Sequence, residues 1–149
     1  MISGRVIKSY DNLEAINKIL ISNSIEKITG LEDNNIVYIL SEDDKIVGVS
    51  GVEKYDTYGI LKYIVVSEDY RGQKFGDGLL RSAFNYCLRN EIKDIYYHEK
   101  NSFLISIGFK SVLLSAVPKI IKEKIPYDEI IKCDLEEFFF RNCKSKGRG

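Results

Sequence analysis

The stretch from Val66 to Leu80 reads Val-Ser-Glu-Asp-Tyr-Arg-Gly-Gln-Lys-Phe-Gly-Asp-Gly-Leu-Leu, and its residue types suit the binding of an anion. An apolar run ends at Val66, a loop carrying glycines and the cations Arg71 and Lys74 follows, and an apolar helical pattern begins near Gly76. The first amides of a helix have no partner inside it and its dipole is positive at that end, so phosphate is favoured there. Glycine lets the backbone approach such a group closely. A plain strand-to-helix turn that uses glycine for geometry alone has the same local pattern. No Gly-x-x-x-x-Gly-Lys-Ser/Thr motif occurs. Gly76-x-Gly78 does not complete a dinucleotide fingerprint, because Arg81 holds the third glycine position and the glycines lie ten residues beyond Val66.

The elements around this loop follow from periodicity. A short strand is expected around Arg5 to Ser9. Asp11 and Glu14 form a capping-box pattern ahead of Leu13, Ile16, Ile19 and Leu20 at helical spacing, so a helix is expected to about Ser22. A second short helix is expected over Ile25 to Thr29, with Gly30 in the left-handed stop position. Ile36 to Leu40 and Ile46 to Glu53 read as strands joined by the polar turn Glu42-Asp43-Asp44-Lys45. A turn near Asp56-Thr57 leads to Gly59 to Val66, apolar almost throughout, as a strand covered on both faces would be. The helix after the loop carries Leu79, Leu80, Ala83, Phe84, Cys87 and Leu88 as its buried stripe. Ile92 to Tyr97 returns as a strand, and a crossover of this length favours parallel pairing. A short helix near Ser102 to Ile107 stops at Gly108, Phe109 begins another strand, Ile130 to Leu135 supplies the last, and Glu136 to Cys143 is a terminal strand or helix. The order is that of an α/β fold, a mixed sheet with helices on both sides.

Composition narrows the classes. The chain has 149 residues, enough for one domain with a sizeable core, and is 44% apolar and 30% charged. Zero formal net charge argues against a broad basic surface for nucleic acid. The cysteines Cys87, Cys133 and Cys143 are odd in number, without a Cys-x-x-Cys pair, and His98 is the sole histidine; free thiols and no metal site are expected. The sequence shows no signal-peptide core and no apolar run near the roughly 18 residues of a membrane span, so a cytoplasmic protein without membrane attachment is expected.

These residues resemble the GNAT superfamily of N-acetyltransferases. Its central motif, a strand ending in valine, an Arg-Gly-x-Gly-x-Gly loop and a Leu-Leu helix, is matched at Val66, Arg71, Gly72, Gly76, Leu79 and Leu80. Its second landmark, a short helix ending in Gly-Phe, is matched at Phe103 and Gly108-Phe109. The resemblance spans roughly Ile36 to Val112 and implies one GNAT-type domain over the chain. It implies acetyl-CoA as cosubstrate, with the coenzyme held by Val65, Val66, Arg71, Gly72, Gln73, Lys74, Phe75 and Gly76. It implies that the pantetheine arm pairs with the main chain near Val65 and Val66, where this strand splays from Ile92 to Tyr97. Asn101 and Leu104, in and before the short helix, would flank the thioester. An amine then attacks the thioester carbonyl directly, so catalysis is mainly positioning and proton handling.

The sequence departs from the pattern twice. Lys74 replaces a loop glycine; the register shifted to Gln73-x-x-Gly76-x-Gly78 also fits formally, but breaks the Val66–Arg71 and Leu79–Leu80 spacing. Leu104 stands where many relatives carry the tyrosine that protonates the departing thiolate. Tyr97 and Tyr96 are the nearest replacements, with aromatic strand packing as their alternative role. Glu53 and Asp56, at the acceptor rim or in a solvated turn, and His98 beside Glu99, as a base or a surface histidine, complete the candidates. Cys87 belongs to a core stripe rather than to nucleophilic chemistry. Phe138, Phe139 and Phe140 in the tail are core, acceptor wall or the contact of a homodimer. The expected reaction is acetyl transfer to a small-molecule or peptide amine. A non-catalytic coenzyme A or acyl-CoA sensor, or an interaction module with this fold, is the competing expectation.

Overall fold

The computed structural model describes residues 1–9, 11–72 and 75–140. The elements are β1 (Ile2–Val6), α1 (Glu14–Ser22), β2 (Asn35–Glu42), β3 (Lys45–Tyr55), β4 (Tyr58–Val66), α2 (Phe75–Arg89), β5 (Asp94–Tyr97), α3 (Ser102–Ile107), β6 (Lys110–Ser111), α4 (Lys119–Lys124) and β7 (Ile131–Asp134). The strands form one mixed sheet of seven in the order β1-β2-β3-β4-β5-β7-β6. Residues 135–140 are helical, which decides the tail as helix within the described residues; Cys143 lies outside them. No described helix is long and apolar enough to cross a membrane.

Two compact units are distinguishable, Met1–Glu53 with Leu61–Tyr86 and Lys54–Ile60 with Cys87–Gly149. In the first, β2 and β3 pair antiparallel across the Glu42–Lys45 turn, where Asp43 (φ 49°) and Asp44 (φ 70°) take the left-handed conformations of a tight hairpin. Neighbouring residues of a strand point to opposite faces. Val37 and Ile39 of β2, with Val49 and Val65, pack under Ile16 and Leu20 of α1, while Leu40 meets Leu79 of α2 on the other face, joined by Val47, which lies at the register shift between Leu40 and Ser41 where the alternation of β3 breaks. Gly48 is what lets α2 approach: a Cβ there would stand 3.0 Å from Leu79 Cδ2. Leu79, Leu80 and Phe84 are fully buried, and truncating any of them to alanine is expected to cost about 2–5 kcal/mol.

In the second unit β5 pairs parallel with the start of β4, from Tyr58–Asp94 to Ile60–Tyr96, as the crossover through α2 leads one to expect. It pairs antiparallel with β7, which also takes β6. Ile60, Tyr96, Val117, Ile121, Ile125 and Ile130 form its core. Gly108 has φ 136° and ends α3, with Phe109 N–H donating to the Leu104 carbonyl at 3.0 Å, the stop anticipated from sequence. The strand expected from Phe109 onward is only Lys110–Ser111.

Three local expectations are corrected. The Asp11–Glu14 capping box does not form. Asp11 instead accepts from the Lys8 amide (2.6 Å) and the Arg5 guanidinium (3.0 and 3.2 Å), Leu13 is the N-cap of α1, and Asn12 Oδ1 accepts from the Glu14 amide (2.8 Å). No helix forms over Ile25–Thr29. Ser24, at φ 60°, ends α1 with Ser24 N–H donating to the Ile21 carbonyl and Ile25 N–H to the Leu20 carbonyl, and the chain leaves as an irregular segment. Gly30 is not left-handed; among described glycines only Gly72 and Gly108 have positive φ.

Candidate functional site

The turn joining β4 to α2 is tied at several points. Ser67 N–H donates to the Val47 carbonyl of β3 (2.8 Å), Glu68–Tyr70 make one turn of 3-10 helix, and Gly72 follows at φ 81°. That conformation suits glycine, and among the described residues beyond the adjoining backbone no atom lies within 4 Å of where a Cβ would stand on Gly72 or on Gly78. The Tyr70 and Phe75 rings meet edge to face at 5.7 Å. Arg71 Nε donates to the Val66 carbonyl (3.1 Å) and its terminal nitrogen donates to Asn23 Oδ1. Helix α2 begins at Phe75 with Gly76, Asp77 and Gly78 in its first turn, and Asp77 is held by Arg81 at 2.9 Å. Open space at Gly72, its left-handed backbone and the N-terminal end of α2, where the first amides of a helix have no partner within it, make a surface that suits an anion. Gln73 and Lys74 lie outside the described residues.

Of the other coenzyme candidates in this unit, Val65 is buried in the core beneath α1 and Val66 is half-buried with its carbonyl taken by Arg71. On the α1 face of the sheet lies a cavity of about 460 Å³, walled by the irregular segment after α1 and by β2, β3 and β4. Register brings Asn35 opposite Glu53 and Val37 opposite Gly51, all four in the cavity wall. Asn17 of α1 sets the position of the irregular segment. Its Nδ2 donates to the Ile28 carbonyl (2.8 Å) and its Oδ1 accepts from the Ile28 amide (2.7 Å), so both backbone groups of Ile28 are satisfied without a helix. Glu53 lines the cavity, 3.9 Å from Lys62 Nζ. Tyr63 lies across Gly51, and burial pushes its phenol up to about 12. Asp56 is not in the wall; it is an exposed turn residue at φ 60°.

The remaining candidates belong to the second unit. Tyr96 is 2% exposed and edge-on to Tyr58, hence a packing residue. Tyr97 is partly exposed and its ring meets that of His98 at 4.4 Å with the planes tilted by 43°; burial, then the Glu99 carboxylate, raises its phenol above the ordinary value. His98 Nε2 is 3.4 Å from Glu99 Oε1, and with Tyr127, Asp128 and Glu129 these two line a shallow cavity of about 400 Å³. Asn101 caps α3 through Oδ1, which accepts from the Leu104 amide (3.0 Å), and Leu104 is 1% exposed, its side chain in the core. Cys87 is likewise buried and its thiol pushed up to about 12, the opposite of an activated nucleophile.

Asn17, Asn23 and Tyr63 carry these arrangements and were not singled out from sequence. The first two act through tertiary hydrogen bonds with no spacing signature. Tyr63 reads as one more apolar strand residue.

A family model described as the Acetyltransferase (GNAT) domain matches residues 33–111. No curated protein matches the sequence. Among solved structures, the chain is similar to the ribosomal-protein-S18-alanine N-acetyltransferase from Escherichia coli, at 16% identity and TM-score 0.67, covering 91% of this chain and 94% of that one. It is similar to the N-acetylglutamate synthase from Neisseria gonorrhoeae complexed with coenzyme A and L-arginine, at 14% identity and TM-score 0.70, covering 89% of this chain and 33% of that one. The PaiA N-acetyltransferase from Thermoplasma acidophilum in complex with coenzyme A is a third, at 14% identity and TM-score 0.63, with 90% and 99% covered. With the family model spanning more than half of its 149 residues, the chain belongs to the GNAT acetyltransferase family.

Proposed function

We propose that this protein is a single-domain N-acetyltransferase that moves acetyl from acetyl-CoA to a small amine. The observation that carries the reading is the turn from Val66 to Gly76, whose left-handed Gly72 and α2 first-turn amides suit a pyrophosphate. Two solved neighbours are described as complexes with coenzyme A, which supports the same cosubstrate here. The cavity walled by Glu53 and Tyr63 is our acceptor site. Its wall carries Glu26, Glu32 and Glu53 against Lys27 and Lys62, a balance that favours a cationic amine.

In the reaction the bound ammonium first releases one proton to solvent; the neutral amine nitrogen then attacks the thioester carbonyl carbon, an N–C bond forms, the C–S bond breaks, and coenzyme A leaves as thiolate. The nitrogen sheds one proton and the sulfur takes one. We assign proton donation to Tyr97, a partly exposed phenol and so a protonated group at neutral pH. Tyr96 is too buried for that role. Glu53 is our candidate to receive the amine proton, with His98 the weaker alternative because it faces Glu99 and Tyr127.

A second reading, a coenzyme A or acyl-CoA sensor, draws on Leu104, an aliphatic core residue where relatives place an acid. Titration calorimetry with acetyl-CoA, coenzyme A and adenosine diphosphate tests both. Saturable binding of acetyl-CoA that is lost in Gly76→Glu supports the turn; no binding at millimolar ligand removes the proposal. A glutamate in the first turn of α2 is favoured by the helix dipole, so loss of binding with an unchanged melting temperature would report charge at the phosphate site rather than misfolding. Turnover of an amine panel by the binding-competent protein separates enzyme from sensor.

A further inference from the structure

We propose that Asn23 is a positioning residue for the coenzyme turn: it holds the Arg71 guanidinium against the Val66 carbonyl and so fixes the chain from Val66 to Arg71. The inference rests on the coenzyme-binding reading above and adds to it a residue forty-eight positions away in sequence. It begins with Arg71 itself, which bonds within the protein in two directions. The Nε bond to the Val66 carbonyl joins the two ends of the turn, five residues apart. The terminal nitrogen is engaged by Asn23 Oδ1 from outside the turn, so the plane of the guanidinium is set by two acceptors at once. A guanidinium can do this because its donors form a rigid fork; an ammonium has no such fork.

Asn23 is a firm anchor. Its Nδ2 donates to the Ile19 carbonyl (2.8 Å), which turns its Oδ1 toward Arg71. Its backbone N–H donates to the Leu20 carbonyl (3.0 Å), and the next two amides close the end of α1. Helix α1 has no basic residue in its last turn, and the negative end of its dipole favours a cation there. Arg71 supplies that charge from another element. Phosphate recognition is then left chiefly to backbone amides, while the arginine acts through the geometry of the turn. Without the Asn23 bond the exposed arginine and its turn would have to be ordered at each binding event, which weakens affinity.

The test is acetyl-CoA affinity by calorimetry in the wild-type protein, Asn23→Ala, Arg71→Ala, the double variant and Arg71→Lys. Asn23→Ala is expected to weaken binding about three- to tenfold, the effect of one partly solvated hydrogen bond to a charged group. In the Arg71→Ala background the same change is expected to add nothing, since Asn23 acts through Arg71. Arg71→Lys keeps the charge but loses the fork, and is expected to bind as weakly as Asn23→Ala or more so. An unchanged affinity in Asn23→Ala, an additive loss in the double variant, or wild-type affinity in Arg71→Lys would each overturn the assignment. Should Asn23→Ala fail to fold, Arg71→Lys at its exposed position decides alone. If the wild-type protein binds no acetyl-CoA, the coenzyme reading itself falls, an outcome distinct from binding that ignores Asn23.

Discussion

Tyr63 lies across Gly51: a Cβ on Gly51 would stand 2.4 Å from Tyr63 Cζ and 2.7 Å from its hydroxyl oxygen. The glycine in β3 is therefore the space that the ring of β4 occupies, and both residues line the 460 Å³ cavity. Gly51→Ala must push the ring off its seat, at a cost of about 1–3 kcal/mol as for other overpacked sites. Urea denaturation should show that loss in the wild-type background and its disappearance in a Tyr63→Ala background. Equal stability of Gly51→Ala and wild type would mean that the ring relocates freely. For the proposed acceptor site, the same variant should raise the acceptor KM while leaving acetyl-CoA affinity unchanged, because none of the residues that line the cavity belongs to the β4–α2 turn.

Two glycines make an internally controlled pair. Gly108 holds φ 136° and faces Phe138 Cδ2 at 3.3 Å from a built Cβ, whereas Gly30 lacks a positive φ and a Cβ built on it meets no atom within 4 Å among the described residues beyond its chain neighbours. Gly108→Ala is expected to cost about 1–3 kcal/mol from backbone strain alone. Gly30→Ala is expected to stabilise by about 0.4–1 kcal/mol, since it removes freedom from the unfolded chain without strain in the folded one. Opposite shifts in the urea midpoint are the expected result. Shifts of the same sign would contradict the assigned backbone conformations.

What could be read in the sequence depended on how local its cause was. Asp43-Asp44 in a polar gap between apolar runs and Gly108 after a short helix act through their own backbone, and both were legible. The stripe from Leu79 to Cys87 was legible because one helix face buries it. The Ile25–Thr29 segment was misread because its outcome depends on Asn17, which satisfies Ile28 from eleven residues away. Asp11 was misread for a similar reason: Arg5 and the Lys8 amide compete for the carboxylate that a capping box would use. At the candidate site the turn itself was visible in the spacing of Val66, Arg71, Gly72 and Gly76. The bracing of Arg71 by Asn23 was not, since a contact between distant elements leaves no periodicity to detect.

Ser50, in β3 opposite Tyr38, is 2% exposed, and its hydroxyl has no hydrogen-bond partner among the described residues. A buried hydroxyl without a partner carries its full desolvation penalty. Ser50→Ala removes that group and leaves a void of one oxygen, so a net stabilisation of about 0.5–1 kcal/mol is expected. Guanidinium denaturation at fixed pH would measure it. A destabilised Ser50→Ala would imply that the hydroxyl has a partner in the folded protein.

The Tyr63 phenol gives the protein an alkaline limit whose sign can be worked out. Burial raises its pKa from about 10 to about 12 in the folded state. Below pH 10 both folded and unfolded chains keep the proton, and the group adds no pH dependence. Between pH 10 and 12 the unfolded chain loses the proton first, so the unfolded state is favoured progressively as pH rises. The loss amounts to about 1 kcal/mol at pH 11 from this residue. Tyr96 is raised to about 12 by burial as well and adds to the fall in the wild-type protein, so the comparison must isolate Tyr63. Tyr63→Phe does so: urea midpoints at pH 8, 10 and 11 should fall less steeply in the variant, with the gap opening only above pH 10. Parallel curves for the two proteins would mean that the phenol titrates alike in both states and is not held in a desolvating cavity wall.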